Sequence, residues 1–430
     1  MKANMKLLTK VYSAPLGALK KLGPGLITGA ADDDPSGIAT YSQAGAQYGF
    51  GLLWTIVLTY PLMAGIQMIC ARIGLVTGRG LASNLQRCYP NVLTLPLILL
   101  LLVANVINIG ADLAAMSDAV RLVFGGPRLI YSIVIGVVCL LMQVMIPYHR
   151  YLPILKWLTL SLFAYVGTVF ASHVDWSNVI QETLLPHLSL DAKYVLLVVG
   201  VFGTTISPYL FFWQAAEEVE DISDIRTRHA LIEHPEQSKR QLNRVWVDTV
   251  MGMGFSNVIS FFIILTTAAT LFPAGIHNIQ TSAEAAAALR PIAGEFAFIL
   301  FAMGIIGTGL LAIPVLAGSA AYAVAEVMHK PASLRLKTSK AKHFYGIIVA
   351  ATLVGVGLDF IGIDPIKALI WSAVINGIVA APLMLAVMHM SSQTKIMGNF
   401  TVSGRLKIFG WLGTGLMTAT AIILGLVNLF

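Results

Sequence analysis

Charged residues are scarce in this chain. Of its 430 residues, 11% are Asp, Glu, Lys or Arg, against roughly 25% in a soluble globular domain, which excludes a soluble domain of this size. Cysteine is scarcer still. The three present, Cys70, Cys88 and Cys139, form no CxxC pair, so neither a disulfide framework nor a cysteine metal site is implied. No Walker loop, HExxH or GxSxG sequence occurs, and the longest polar stretch, about 219–244, is too short to hold an ATPase domain. Enzymatic chemistry finds no support. The formal charge is +7, yet the basic residues occupy short segments between apolar runs rather than one face, which excludes nucleic-acid binding.

What the chain does have is apolar length. Hydrophobic residues make up 57% of it, in runs of about 20, the length a helix needs to cross a hydrocarbon core of about 30 Å. Eleven spans are expected, approximately 22–47, 51–74, 93–124, 128–147, 151–171, 193–218, 245–271, 295–328, 342–362, 366–390 and 408–430, giving an all-α integral membrane protein. The segment 1–21, with Lys2, Lys6, Lys10, Lys20 and Lys21, lacks a long apolar core and reads as a cytoplasmic leader, not a cleaved signal. With that end inside, all of the 28 basic residues except Arg121, Arg128, Lys193, Arg290 and Lys367 fall on the cytoplasmic side. The C-terminus is then external, in the cell (inner or plasma) membrane, with the lipid bilayer as the evident partner and no obligate protein partner.

Spans 1 and 6 are interrupted at corresponding places, the first by Asp34-Pro35-Ser36-Gly37 and the sixth by Thr204-Thr205-Ile206-Ser207-Pro208. That spacing implies an inverted repeat of five helices, 22–171 and 193–390, with 408–430 added. Paired interruptions in such a repeat point to a transport site. An ordinary proline kink is the plainer alternative.

Asp32, Asp33 and Asp34 accompany the first break. A carboxylate at bilayer depth costs roughly 3 kcal/mol on insertion scales, so each is a functional candidate. Successive helical residues turn by about 100°, so the three cannot all ligate one ion from a regular helix. Asp34, beside an expected unwound Pro35-Ser36-Gly37, is the leading ligand. Asp33 and Asp32 are weaker candidates that line a vestibule, pair with donors or carry protons. Unwinding at Pro35 and Pro208 would also free carbonyls as ligands. The neighbouring hydroxyls are Ser36, Thr204, Thr205 and Ser207, with back-bonding to their own helix as the alternative for Ser36 and Thr205. An all-oxygen inventory favours Mg²⁺, Ca²⁺ or Mn²⁺ over late transition metals.

Elsewhere, Asp112 in span 3 either bonds to Asn105 or Asn108 or belongs to an ion pathway. Asp248, Asn257 and Asn376 read as interhelical polar contacts. All nine histidines fall in loops or at span ends. The acidic run Glu217, Glu218, Glu220, Asp221 and Asp224 reads first as a solvated helix end, and second as a funnel for cations.

The stretch from Gly23-Pro24-Gly25 through Asp34-Pro35-Ser36-Gly37 to Gln43-Ala44-Gly45-Ala46-Gln47-Tyr48-Gly49, with Leu53-Trp54, Ala71-Arg72-Ile73-Gly74 and Thr77-Gly78, resembles the first two helices of the NRAMP divalent-metal transporters. The resemblance continues more weakly through Ala111-Asp112-Leu113-Ala114, Ser207-Pro208 and the Gly304 to Gly318 region. It implies a LeuT-type fold with spans 1 and 6 broken, alternating access, a divalent metal cation as substrate and no other cofactor. The departures are specific. Ser36 and Gly37 stand where the family motif has Gly and a metal-ligating Asn. Thr204 aligns with an Ala whose carbonyl binds metal, Ser207 with a Met, Tyr209 with a His, and Ala115 with a Glu.

By that resemblance the metal site comprises Asp34, Gly37, Thr204, Ser207 and Asp33, with Asp32, Asp112, Tyr209 and Asn376 secondary or along the path. The pattern is most similar to the NRAMP-related magnesium transporters, which carry largely hydrated Mg²⁺ without proton coupling. Mg²⁺ keeps several waters, and small residues at 37 and 207 are expected to leave room for them. The alternatives are a proton-coupled Mn²⁺ or Fe²⁺ transporter and, from another class, a sodium-coupled organic-solute carrier. The aspartates of span 1 argue against the last.

Overall fold

The computed structural model describes residues 28–29, 31–146, 160–186, 188–224 and 228–427. The expected leader, the start of span 1, the 147–159 stretch of spans 4 and 5, and His149 and His187 lie outside these residues. Within them the chain is helical and contains no strand. Nine helical stretches are long and apolar enough to cross a membrane, and Leu160–Ala171 is apolar but shorter. The first stretch, Pro35–Thr77, contains both the end of span 1 and span 2, so the nine account for ten of the expected eleven spans, and Leu160–Ala171 is the described part of the fifth.

The helices that build the centre are α1 (Pro35–Tyr48), α2 (Leu53–Thr77), α3 (Leu81–Cys88), α4 (Asn91–Phe124), α5 (Arg128–Met145), α6 (Phe163–Ala171), α7 (Trp176–Leu184), α8 (Ala192–Thr205), α9 (Pro208–Asp224), α10 (Ser238–Thr270), α11 (Ser282–Ala287), α12 (Ala297–Val327), α13 (Lys342–Asp359), α14 (Pro365–Ser391) and α15 (Gly404–Val427). Three short helices were not anticipated from hydropathy. Cys88 ends α3 rather than lying in a loop, and α7 and α11 stand between spans. Helix α10 also begins seven residues before expectation, because its polar first turns carry residues that pack against the end of α9.

Both interruptions are present, the first two to three residues earlier than the motif suggested and the second within the expected Thr204–Pro208 segment. Residues 31–32 are helical, Asp33 and Asp34 are not, and α1 starts on Pro35. Likewise α8 ends at Thr205 and α9 starts on Pro208. Pro35, Ser36 and Gly37 are therefore the first turn of a helix instead of an unwound loop. The reason is local. Proline disfavours the helical conformation in the residue before it, and Asp34 is extended, at φ −72° and ψ 169°. Proline itself suits the first helical position, where no N–H is needed.

Helix α4 packs against α12, α13 and α14, while α14 also packs on α1 and α8. The α8–α14 contact depends on small residues. A Cβ on Gly203 would lie 2.1 Å from the Ala373 carbonyl oxygen and 2.7 Å from Gly377 Cα, so the two backbones can meet only over glycine. Outward faces are apolar. On α5, Val134, Val137, Leu141 and Met145 are all exposed, as a lipid-facing helix requires.

Candidate substrate site at the two helix breaks

Asp34 is the N-cap of α1. Its Oδ1 accepts hydrogen bonds from the Gly37 backbone N–H at 2.7 Å and the Ser36 hydroxyl at 2.9 Å, and its Oδ2 accepts one from Asn108 Nδ2 at 2.9 Å. Capping supplies a partner for a free N–H of the first turn, and the partial positive charge at the start of α1 favours the carboxylate. Asn108 reaches over from α4. The expectation that Asn105 or Asn108 would pair with Asp112 is therefore corrected: Asn105 donates to the Leu316 carbonyl at 3.0 Å. Neither Asp112 oxygen has a hydrogen-bond partner, although the side chain is buried.

Asp32 and Asp33 turn towards α10. Ser256 Oγ lies 2.8 Å from Asp32 Oδ2 and 3.0 Å from Asp33 Oδ1, and Ser260 Oγ lies 3.4 Å from Asp33 Oδ1. A hydroxyl has one proton to donate, so Ser256 serves one carboxylate at a time. Asp33 thus takes its partners from α10, whereas Asp34 takes its own from α1 and α4. Sequence reasoning missed Ser256 and Ser260. Their four-residue spacing in an apolar helix was the available signal, since it puts both hydroxyls on one face.

At the second break, Thr205 back-bonds to the Val201 carbonyl at 2.7 Å and meets Tyr41 OH at 3.0 Å. Ser36 does not back-bond. Ser207 Oγ donates to the carbonyls of Gly203 and Thr204 at 2.9 and 2.8 Å, and Tyr209 OH donates to the Ala31 carbonyl at 3.0 Å. Carbonyls expected to be free for ligation are thus occupied by side chains of the breaks themselves. The Thr204 hydroxyl Oγ1, by contrast, is buried and unpaired. A Cβ on Gly37 would come within 3.0 Å of that oxygen, 3.3 Å of the Tyr41 ring and 3.5 Å of Asp34 Oδ1. Asp34, Gly37 and Thr204 therefore converge. Thr204 and Tyr41 are the nearest neighbours on that side of Gly37. Asn376 is buried on α14 with neither amide atom paired.

Asp32, Asp33, Asp34 and Asp112 are each at most 2% exposed, and among the described residues none forms an ion pair. Asn257 bridges helices as expected, donating to the Ile56 carbonyl at 3.1 Å. All described histidines lie in loops or near helix ends.

The family model described as "Nramp: Natural resistance-associated macrophage protein-like" matches residues 25–427. The chain belongs to the Nramp family. It is accordingly a membrane transporter and not an enzyme. Among solved structures, the Eremococcus coleocola manganese transporter in complex with an aromatic bis-isothiourea substituted compound superposes with a TM-score of 0.70 at 19% identity, covering 95% of this chain and 85% of that one. A point mutant of the same transporter gives 0.73 at 18% identity with the same coverage. Mhp1, a nucleobase-cation-symport-1 family transporter with bromovinylhydantoin bound, gives 0.58 at 11% identity, covering 94% and 92%. At these identities the likeness is one of fold, the LeuT-type fold.

The acidic run at the end of α9 is not the solvated helix end expected of this Nramp chain. Glu218 is fully buried and pairs with Arg244. Asp221 meets Arg228 at 2.6 Å and Arg335 at 3.2 Å. Glu220 accepts from Tyr322 OH at 2.8 Å, Ser333 Oγ at 3.0 Å and the Leu334 N–H at 3.0 Å, with Arg335 at 3.3 Å. The linker after α12 and the start of α10 fold over α9, and their cations and hydroxyls take the place of water.

Proposed function

We propose that this protein carries divalent metal cations into the cell by alternating access, chiefly Mg²⁺ with much of its hydration shell, with Mn²⁺ as a second substrate and without proton coupling. The observation that carries this reading is the donor set at the breaks. Asp34, Thr204, Ser207 and Tyr209 present oxygen only, with no thioether, thiol or imidazole. Hard oxygen ligands suit Mg²⁺ and Mn²⁺. Four buried acids without a basic partner add a reason for a cation to enter, since an uncompensated carboxylate in the membrane is costly. The family and the Eremococcus transporter, described as a manganese transporter, support a divalent substrate. The reading takes 22–171 and 193–390 as inverted repeats, the N-terminus as cytoplasmic and the C-terminus as external, in the cell membrane.

A second reading, proton-coupled Mn²⁺ or Fe²⁺ transport, is favoured by one observation, the unpaired buried carboxylate of Asp112. Uptake into proteoliposomes with Mg²⁺, Mn²⁺, Ca²⁺ and Cd²⁺ in parallel tests the proposal. Mg²⁺ and Mn²⁺ should enter and Cd²⁺ should be the poorer substrate. Cd²⁺ uptake with none of Mg²⁺ would overturn the magnesium assignment.

A further inference from the structure

A cavity of about 450 Å³ opens between the end of α5 and the linker that follows α12. Gln143, Arg335, Leu336, Lys337, Thr338 and Tyr345 are among the residues lining it. Its shape is held from within: Tyr345 OH donates to the carbonyls of Leu334 at 3.3 Å and Leu336 at 3.1 Å, and Thr338 Oγ1 donates to the Val144 carbonyl at 3.4 Å. Gln143 is 4% exposed, and neither its Nε2 nor its Oε1 has a partner. A buried amide left unpaired is unfavourable, and the cavity it lines is where a partner would come from.

The surroundings specify the chemistry of that partner. Among the described residues no acidic side chain lines the cavity, whereas Arg335 and Lys337 do, and Lys340 and Lys342 follow within the next five residues. Amide donors and fixed cations together suit a phosphate oxygen. The level is that of a headgroup, because α5 ends at Met145 and α13 begins at Lys342. Below it runs the exposed apolar face of α5, with Val134, Val137, Leu141 and Met145, ending at the rim.

We propose that this cavity binds the phosphate headgroup of an acidic phospholipid whose acyl chains lie along the outer face of α5. Basic pockets beside transmembrane helices are suited to such headgroups. Arg335 also pairs with Glu220 and Asp221, so a lipid phosphate competes with the end of α9 for one guanidinium and acts on the closure there.

Native mass spectrometry of the full chain in delipidated detergent tests this, with phosphatidylglycerol and phosphatidylcholine of identical chains as probes. Phosphatidylglycerol should be retained in preference, and Lys337→Glu and Gln143→Leu should each weaken its retention, by about fivefold or more for the charge change. Gln143→Leu is close in volume and removes the unpaired amide, so its thermal midpoint without lipid should match or exceed that of the parent. Should it fold poorly, the exposed Lys337→Glu carries the test alone. Equal retention of the two lipids, or undiminished retention by Lys337→Glu, overturns the proposal. Thermal stabilisation by millimolar inorganic phosphate equal to that by phosphatidylglycerol also overturns it, by making a soluble phosphate the ligand.

Discussion

Asp34 is a helix cap and, in the proposed function, the first cation ligand, and the two roles separate by substitution. Asparagine caps about as well as aspartate but carries no charge. Asp34→Asn should therefore keep a thermal midpoint near that of the parent while Mg²⁺ uptake falls to background, and near-normal uptake would remove Asp34 from the site. Asp34→Ala loses the cap as well, at about 1 kcal/mol, and should melt lower. Ser207 gives a second test at this scale. Its hydroxyl bonds to carbonyls at the end of α8, so Ser207→Met frees those carbonyls and introduces a thioether. Isothermal titration should then show Cd²⁺ and Mn²⁺ binding more tightly and Mg²⁺ more weakly. An unchanged order would mean that the ion does not sit between the breaks. Gly37→Asn, by contrast, should destabilise the protein, since a Cβ there already lies 3.0 Å from Thr204 Oγ1 and 3.3 Å from the Tyr41 ring, and both must shift to admit it.

Among the elements, α9 has the most to lose at its acidic end. Removing one partner of a buried ion pair leaves the other uncompensated, at about 3 kcal/mol. Arg244→Ala should therefore lower stability strongly, because the Glu218 side chain it faces is fully buried. Adding Glu218→Gln should recover much of that loss, giving a coupling in a double-mutant cycle of unfolding free energies. Additive losses would show that the two residues act independently. Arg335 belongs to the same closure, joining the linker after α12 to Glu220 and Asp221. The helix break at the other end of α9 is tied to the first half of span 1 through Tyr209 and Ala31. Helix α9 is thus tied at both ends, by Tyr209 at its start and by Arg244 and Arg335 at its acidic end.

For the molecule as a whole, the question is what compensates the charge of the buried acids during transport. Proton coupling needs a group that changes charge during the cycle, and described histidines are confined to loops and helix ends. Uptake of Mg²⁺ into proteoliposomes carrying a trapped pH-sensitive dye should proceed without acidification of the lumen. Metal-dependent acidification, lost in Asp112→Asn, would establish the proton-coupled reading instead.

Apolar run length alone determined that this chain crosses a membrane many times, because a bilayer imposes one length on every span. Proline placement determined that spans 1 and 6 break, because proline constrains its own backbone and that of the residue before it, whatever surrounds them. Both are local effects and legible in one dimension. Which partner each polar side chain takes is not local. Asn108 bonds to Asp34, 74 residues away, in preference to Asp112 one turn along its own helix. Ser256 stands 224 residues from Asp32. The acidic end of α9 looked solvated because no residue near it in sequence announces that the linker after α12 folds over it. Those pairings were decided only when the helices packed, since the packing brings a donor to one carboxylate and withholds it from another.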